Sequence, residues 1–187
     1  ASVLGSNDGL FDVDRLENIE FLAPFKFYGN KARTIQWKAA AFRTREGIKV
    51  EASLESDITR RNGDTKHLLH FTGNVFLLPG EHKMQQVTNP PQWSGKNLVS
   101  SVDIYNLYFH GPSFQVLESA QANHGILLGK FNKKLVNVGA DEPTLQATPL
   151  LIEMCFQTAG LFEAGATGTL ALPHSIGTLK LFKQPLN

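Results

Sequence analysis

The segment "TPLLIEMCFQTAGLFEAG", Thr148 to Gly165, reads as the one clear helix of this 187-residue chain. Thr148 suits the N-cap, where a hydroxyl accepts from a free backbone N–H, Pro149 suits the first helical position and Gly165 suits the C-terminal stop. From Leu150 to Phe162 almost every residue is apolar, so the helix lacks a broad solvent face and is expected to be surrounded by other structure. Two polar side chains break that surface, Glu153 and Gln157. Their spacing of four residues puts them one above the other on the same face, where both can point into one cavity. A carboxyl group in apolar surroundings has its charged form disfavoured, which equips Glu153 as a general acid near neutral pH, with Gln157 orienting it or a substrate hydroxyl. The structural alternative is that Glu153 reaches a loop amide or an arginine and fastens the helix in place.

Around this helix the composition is that of antiparallel strands. Residues 16–78 hold "LENIEFLAPFKF", "ARTIQWKAAAF", "GIKVEASLES" and "KHLLHFTGNVFLL". In the third, Ile48, Val50, Ala52 and Leu54 alternate with Lys49, Glu51, Ser53 and Glu55, the pattern of a half-buried strand. The turn signals "YGN", "REG" and "RRNGDT" separate the four, so the region reads as a meander. Residues 79–100 lose the alternation and gather prolines, as a linker or wrapping loop would. Two more strand candidates follow, "SFQVLESAQA" and "GILLGKFN", the latter entered through the turn "NHG", and then an irregular stretch, "KKLVNVGADEPTLQA". The expected division is therefore 1–78, a linker at 79–100, and 101–187 with the central helix at 148–165. An antiparallel β-sheet curved around one buried helix is an α+β arrangement, the hotdog fold.

Composition narrows the function classes. The formal net charge is +1, from 18 basic and 17 acidic residues scattered along the chain, which offers no footprint for nucleic acid and no polybasic membrane patch. The longest apolar runs fall far short of a bilayer span, and "ASVLGSNDG" has no basic segment followed by an apolar one, so no membrane contact is expected. The single cysteine, Cys155, excludes an intrachain disulfide and has no second thiol for a metal site, which points to a cytoplasmic protein. No histidine has trustworthy metal-ligand spacing, and neither a glycine-flanked serine elbow nor a phosphate-cradling glycine loop occurs. No metal and no bound cofactor are expected.

Several segments share one resemblance. "YFHGPSFQVL" resembles the start of the second half of polyketide synthase dehydratase domains, where Gly-Pro-x-Phe-Gln leads into a strand. "PLLIEMCFQTAG" is similar to the helix of that half, which carries a catalytic Asp followed four residues later by Gln or His. "LPHSIGTLKLF" resembles the strand after that helix, and "LENIEFLAPFKF" and "HLLHFTGNVFL" resemble strands of the first half. The His-Gly-Pro-x-Phe-Gln form leans toward dehydratase regions of polyunsaturated fatty acid synthases and related iterative polyketide synthases. These segments cover most of the chain in the family's order.

The resemblance implies a dehydratase of double-hotdog architecture that removes water from a 3-hydroxyacyl chain held as a thioester on the phosphopantetheine of acyl carrier protein. Its partners would be acyl carrier protein and neighbouring megasynthase domains, and a homodimer is open because hotdogs pair their sheets. The reaction needs a base and an acid on opposite sides of the substrate. Glu153 occupies the acid's position, one methylene longer than Asp, and Gln157 matches without change. The family's base motif, His-x-x-x-Gly-x-x-x-x-Pro, has no match: none of His67, His70, His82, His110, His124 or His174 has a glycine four residues later. The helix that should follow that motif is missing too, which implies a partial or reduced double hotdog. The stretch around His110 shapes the wall of the family's substrate tunnel, so Phe109, Gly111, Pro112, Phe114 and Pro173 are expected to line one here. His110 is expected as tunnel wall, with a replacement base as the alternative. His70 is expected to pack or hydrogen-bond a neighbouring strand. Two rival functions stay open, a noncatalytic scaffold or acyl-binding pseudo-dehydratase and a hotdog thioesterase.

Overall fold

The computed structural model describes residues 11–26, 32–59, 62–79, 91–123, 125–135 and 149–181. The Thr148 cap, the turn at 28–30, His82, His124 and much of both irregular stretches lie outside the described residues. The chain divides into two compact units, one built from Ala1–Gln86 with His174–Asn187 and the other from Val87–Pro173.

In the first unit, β1 (Phe11–Phe21), β2 (Gln36–Arg43), β3 (Ile48–Thr59) and β4 (Thr65–Pro79) join β8 (Ser175–Lys180) in a sheet of order β2-β3-β4-β1-β8. Every neighbouring pair is antiparallel. The alternation in β3 sets the faces: Leu54 stands between Trp37 of β2 and Phe71 of β4, and Ile48 stands opposite Leu77. Ile48 and Leu54 are buried, and Phe21 meets Phe71 edge-on with ring centroids 5.7 Å apart. His70 is fully buried, with Nδ1 2.9 Å from the Ala23 carbonyl and Nε2 2.7 Å from Ser56 Oγ of β3. A carbonyl only accepts, so Nδ1 carries the proton and Nε2 accepts from the Ser56 hydroxyl.

The last strand departs from the expected division. Residues 175–180, which the sequence assigned to the second half, pair with β1 through Ile19 opposite Ile176 and Leu16 opposite Leu179. Two further backbone bonds flank this ladder, Phe21 N–H to the His174 carbonyl and Leu181 N–H to the Asp14 carbonyl, each 2.9 Å.

The second unit carries β5 (Leu98–Ser100), α1 (Ser101–Leu107), a 3-10 turn at Pro112–Phe114, β6 (Leu117–Asn123), β7 (Ile126–Phe131) and α2 (Pro149–Thr167). Its sheet has the order β5-β6-β7, and α2 packs on β7 and β6. Ile104, Leu117 and Ala120 form the core, with Tyr105, Tyr108, Leu127, Met154 and Leu161 packed against it. Two expectations are corrected here. Leu98–Ser100, placed in the linker, is a short strand, and the segment after it is a helix that the sequence reading missed. Ser100 caps it: its Oγ accepts from Asp103 N–H and donates to Asp103 Oδ2.

The long helix also differs from expectation. It runs through Gly165 to Thr167 and ends where Gly168 turns left-handed, φ 74°, with its N–H on the Ala164 carbonyl at 2.8 Å. Within the second unit the sheet packs on one side of it, through β7 and β6. Cys155, Ala159 and Phe162 stand exposed, and the one buried residue of the helix is polar, Gln157.

Candidate functional site

The second unit gathers Glu153, Gln157 and His110 into one cluster. Glu153 and Gln157 meet along α2 as their spacing dictates, with Gln157 Nε2 donating to Glu153 Oε1 at 2.8 Å. His110 comes from the stretch between α1 and the Gly111-Pro112 turn, and its Nε2 lies 3.0 Å from the same oxygen. An ionised carboxylate only accepts, so Nε2 carries the imidazole proton and Nδ1 is the bare nitrogen. Nδ1 is buried and has no hydrogen-bond partner among the described residues. The His110 and Glu153 side chains are 18% and 25% exposed, so solvent reaches the pair from one side. Both donors converge on Oε1, and Oε2 carries no bond from either.

The amide of Gln157 is oriented by its surroundings. Nε2 also donates to the Phe114 carbonyl at 2.8 Å, and Oε1 accepts from the Tyr105 hydroxyl at 2.8 Å. Tyr105 in turn accepts from Leu117 N–H at the start of β6, 2.7 Å away. Tyr108 takes the helix backbone, donating to the Gln157 carbonyl at 2.6 Å. It approaches that closely because residue 160 is glycine: a Cβ there would lie 2.6 Å from the hydroxyl oxygen. Burial pushes the Tyr108 hydroxyl up to about 12, with Tyr105 and the charge of Glu153 adding to the effect. Burial raises Tyr105 as well, the bond from Leu117 opposing and the charge of Glu153 adding. Both phenols therefore remain donors at ordinary pH. Neither tyrosine was singled out from the sequence.

Four of the five residues expected to line a tunnel, Phe109, Gly111, Pro112 and Phe114, lie on the stretch that carries His110. Phe109 is 79% exposed and stacks on His110, with ring centroids 4.7 Å apart. Gly111 and Pro112 make the 3-10 turn through Phe114 N–H to the Gly111 carbonyl, 2.9 Å. Phe114 joins the cluster through its carbonyl while its ring is 52% exposed. Pro173 is exposed between α2 and β8. Two open clefts have other linings: one of about 530 Å³ on the β1–β4 sheet, and one of about 460 Å³ between β7 and α2, beside Leu127, Met154, Cys155 and Phe162. Among the described residues no group of three or more His, Cys, Asp or Glu side chains is placed to hold a metal, and no helix is long and apolar enough to cross a membrane.

Comparisons place this chain among known proteins. The family model described as the polyketide synthase dehydratase N-terminal domain matches residues 92–187, the stretch that holds the whole cluster. A search of the curated proteins gave no match. Among solved structures, the dehydratase domain from the CurF module of the curacin polyketide synthase is similar at TM-score 0.67 and 18% identity, covering 100% of this chain and 65% of that one. A trans-AT polyketide synthase dehydratase domain from Brevibacillus brevis is similar at TM-score 0.68 and 17% identity, covering 96% of this chain and 62% of that one. The chain thus spans less than two thirds of either domain. At these identities the likeness establishes the fold, the expected hotdog arrangement of mostly antiparallel sheet with few helices.

Proposed function

Because the chain belongs to the polyketide synthase dehydratase family, we propose that it handles 3-hydroxyacyl thioesters carried on acyl carrier protein, with Glu153 as the reacting acid. The observation that carries this reading is the convergence of Gln157 and His110 on Glu153 Oε1. That arrangement fixes the carboxyl group and leaves Oε2, which neither donor engages, as the oxygen to meet a substrate hydroxyl. In dehydration, a base takes the proton from the carbon beside the thioester carbonyl while the acid protonates the departing hydroxyl, so that water leaves and a carbon–carbon double bond forms. Glu153 fits the second role. The partners of this reading are acyl carrier protein and adjoining domains of a cytoplasmic megasynthase, of the polyketide or polyunsaturated fatty acid type.

One observation favours a second reading, a noncatalytic domain that binds acyl thioesters. Acid and base must stand on opposite sides of the substrate, and here His110 and Glu153 touch at 3.0 Å. Nδ1 of His110 is buried, so the ring meets a substrate only through Nε2, the atom that already faces Glu153.

Conversion of the 3-hydroxybutyryl thioester of pantetheine to its enoyl product separates the two. Under the dehydratase reading the parent turns over and Glu153→Gln loses about 10²–10⁴-fold, the usual worth of a positioned acid. Binding of the thioester without turnover, by folded parent and variant alike, supports the acyl-binding reading instead. Release of the free acid would identify a thioesterase and overturn both.

A further inference from the structure

We propose that Tyr105 is the positioning residue of the site: its hydroxyl fixes which end of the Gln157 amide faces Glu153. The inference rests on the reading of Glu153 as the reacting carboxyl group. Each neighbour of the amide decides which end can face it. Glu153 Oε1 and the Phe114 carbonyl accept hydrogen bonds, and both lie 2.8 Å from one end of the amide. That end must be the NH₂ group, and its two protons are then both used. The other end, Oε1, needs a donor, and Tyr105 supplies one at 2.8 Å.

A phenol can donate or accept, so something must set its direction. Leu117 N–H, 2.7 Å away, has no choice but to donate, and it occupies a lone pair of the phenol oxygen. The phenol proton then points at Gln157. The result is a polar chain with a single sense, from the backbone N–H at the start of β6 through Tyr105 and Gln157 to the carboxylate. Each link leaves the next as a donor, and the chain ends on Oε1 of Glu153. Reversing the amide would set its oxygen against two acceptors, a carboxylate and a carbonyl, and would leave its NH₂ group facing the phenol.

Tyr108 provides the internal comparison. It sits one helical turn further along than Tyr105 and touches the same residue, but through the main-chain carbonyl of Gln157. Loss of its hydroxyl loosens α2 without freeing the amide. Loss of the Tyr105 hydroxyl frees the amide to rotate, and Glu153 then spends part of its time without the Gln157 donor.

The test compares Tyr105→Phe with Tyr108→Phe in the full chain, each first shown to be folded. The primary readout is the side-chain amide of Gln157 by nuclear magnetic resonance. In the parent and in Tyr108→Phe its two protons are expected to exchange slowly with water. In Tyr105→Phe exchange is expected to be faster by about tenfold, the scale of one lost hydrogen bond. Turnover gives a second readout: kcat falls about tenfold with KM unchanged, and Tyr105→Phe adds nothing to Gln157→Ala. Unchanged Gln157 amide protons in folded Tyr105→Phe overturn the proposal. Should Tyr105→Phe not fold, the unaltered chain decides: a slowly exchanging Tyr105 hydroxyl proton close to Leu117 N–H supports it, and the lack of that signal overturns it. A parent with no turnover but with the expected amide behaviour sinks the dehydratase reading and leaves the role of Tyr105 intact.

Discussion

At the scale of single residues, the spacing of Glu153 and Gln157 announced their contact, because four residues along a helix bring side chains together wherever the helix packs. No spacing rule tied His110 to Glu153, 43 residues later: the family resemblance alone named it, as tunnel wall or replacement base, and the fold of the second unit brings the two together. Tyr105 and Tyr108 were illegible, since neither signal named them. Their effect is open to titration. A folded state that raises a phenol's pKa holds the proton more tightly than the unfolded chain does, so the stabilisation that Tyr105 and Tyr108 contribute is complete below pH 10. It is lost as pH climbs from the ordinary 10.0 toward the value of about 12 at Tyr108. We therefore expect two of the three tyrosines, Tyr105 and Tyr108, to ionise late in a spectrophotometric titration. Tyr108→Phe should remove the latest component, and a single transition near the ordinary value in the parent would contradict the buried setting of both.

Among the elements, α2 was legible because its apolar run and proline start leave no other reading. Its end was misplaced because glycine is tolerated inside a helix, and the stop fell to Gly168, whose left-handed backbone an ordinary residue avoids. α1 escaped because it is only seven residues long and Val102, Ile104 and Tyr105 are residue types that strands favour. The signals that would have found it are the Ser100-x-x-Asp103 cap and the four-residue step from Ile104 to Tyr108. Gly160 tests how the helices hold each other. Alanine there gains about 1 kcal/mol of helix propensity, but its Cβ displaces the Tyr108 hydroxyl from the Gln157 carbonyl, a loss of about 0.5–1.5 kcal/mol. The two nearly cancel. Gly160→Ala should thus change the urea midpoint little while moving Tyr108 ionisation back toward 10, and a loss above about 2 kcal/mol would mean that the helix itself has been pushed off.

For the whole molecule, the meander β1–β4 was legible from alternation and turn residues, whereas the place of β8 was not. Strand pairing between residues 155 to 165 positions apart leaves no local trace. Ile176→Asp puts this pairing to the test, since it sets a charge opposite Ile19 in place of an apolar cross-strand partner, a loss of about 1–3 kcal/mol. Amide exchange in β1 is expected to speed up while β6 and β7 keep their protection. Equal acceleration in both sheets would show that the two units unfold as one.

The position of β8 in the chain has a further consequence, for the order of events during synthesis. β1 to β4 leave the ribosome before β8, the strand that covers the edge of β1, which follows β4 after 95 intervening residues, between Pro79 and Ser175. At typical elongation rates that interval lasts about 5–20 s, far longer than a small sheet needs to form. Throughout it β1 presents an unpaired edge, the kind of template that recruits stray strands. The second unit, inserted within the first, can fold during this wait, so the sheet begun before it is completed only after it.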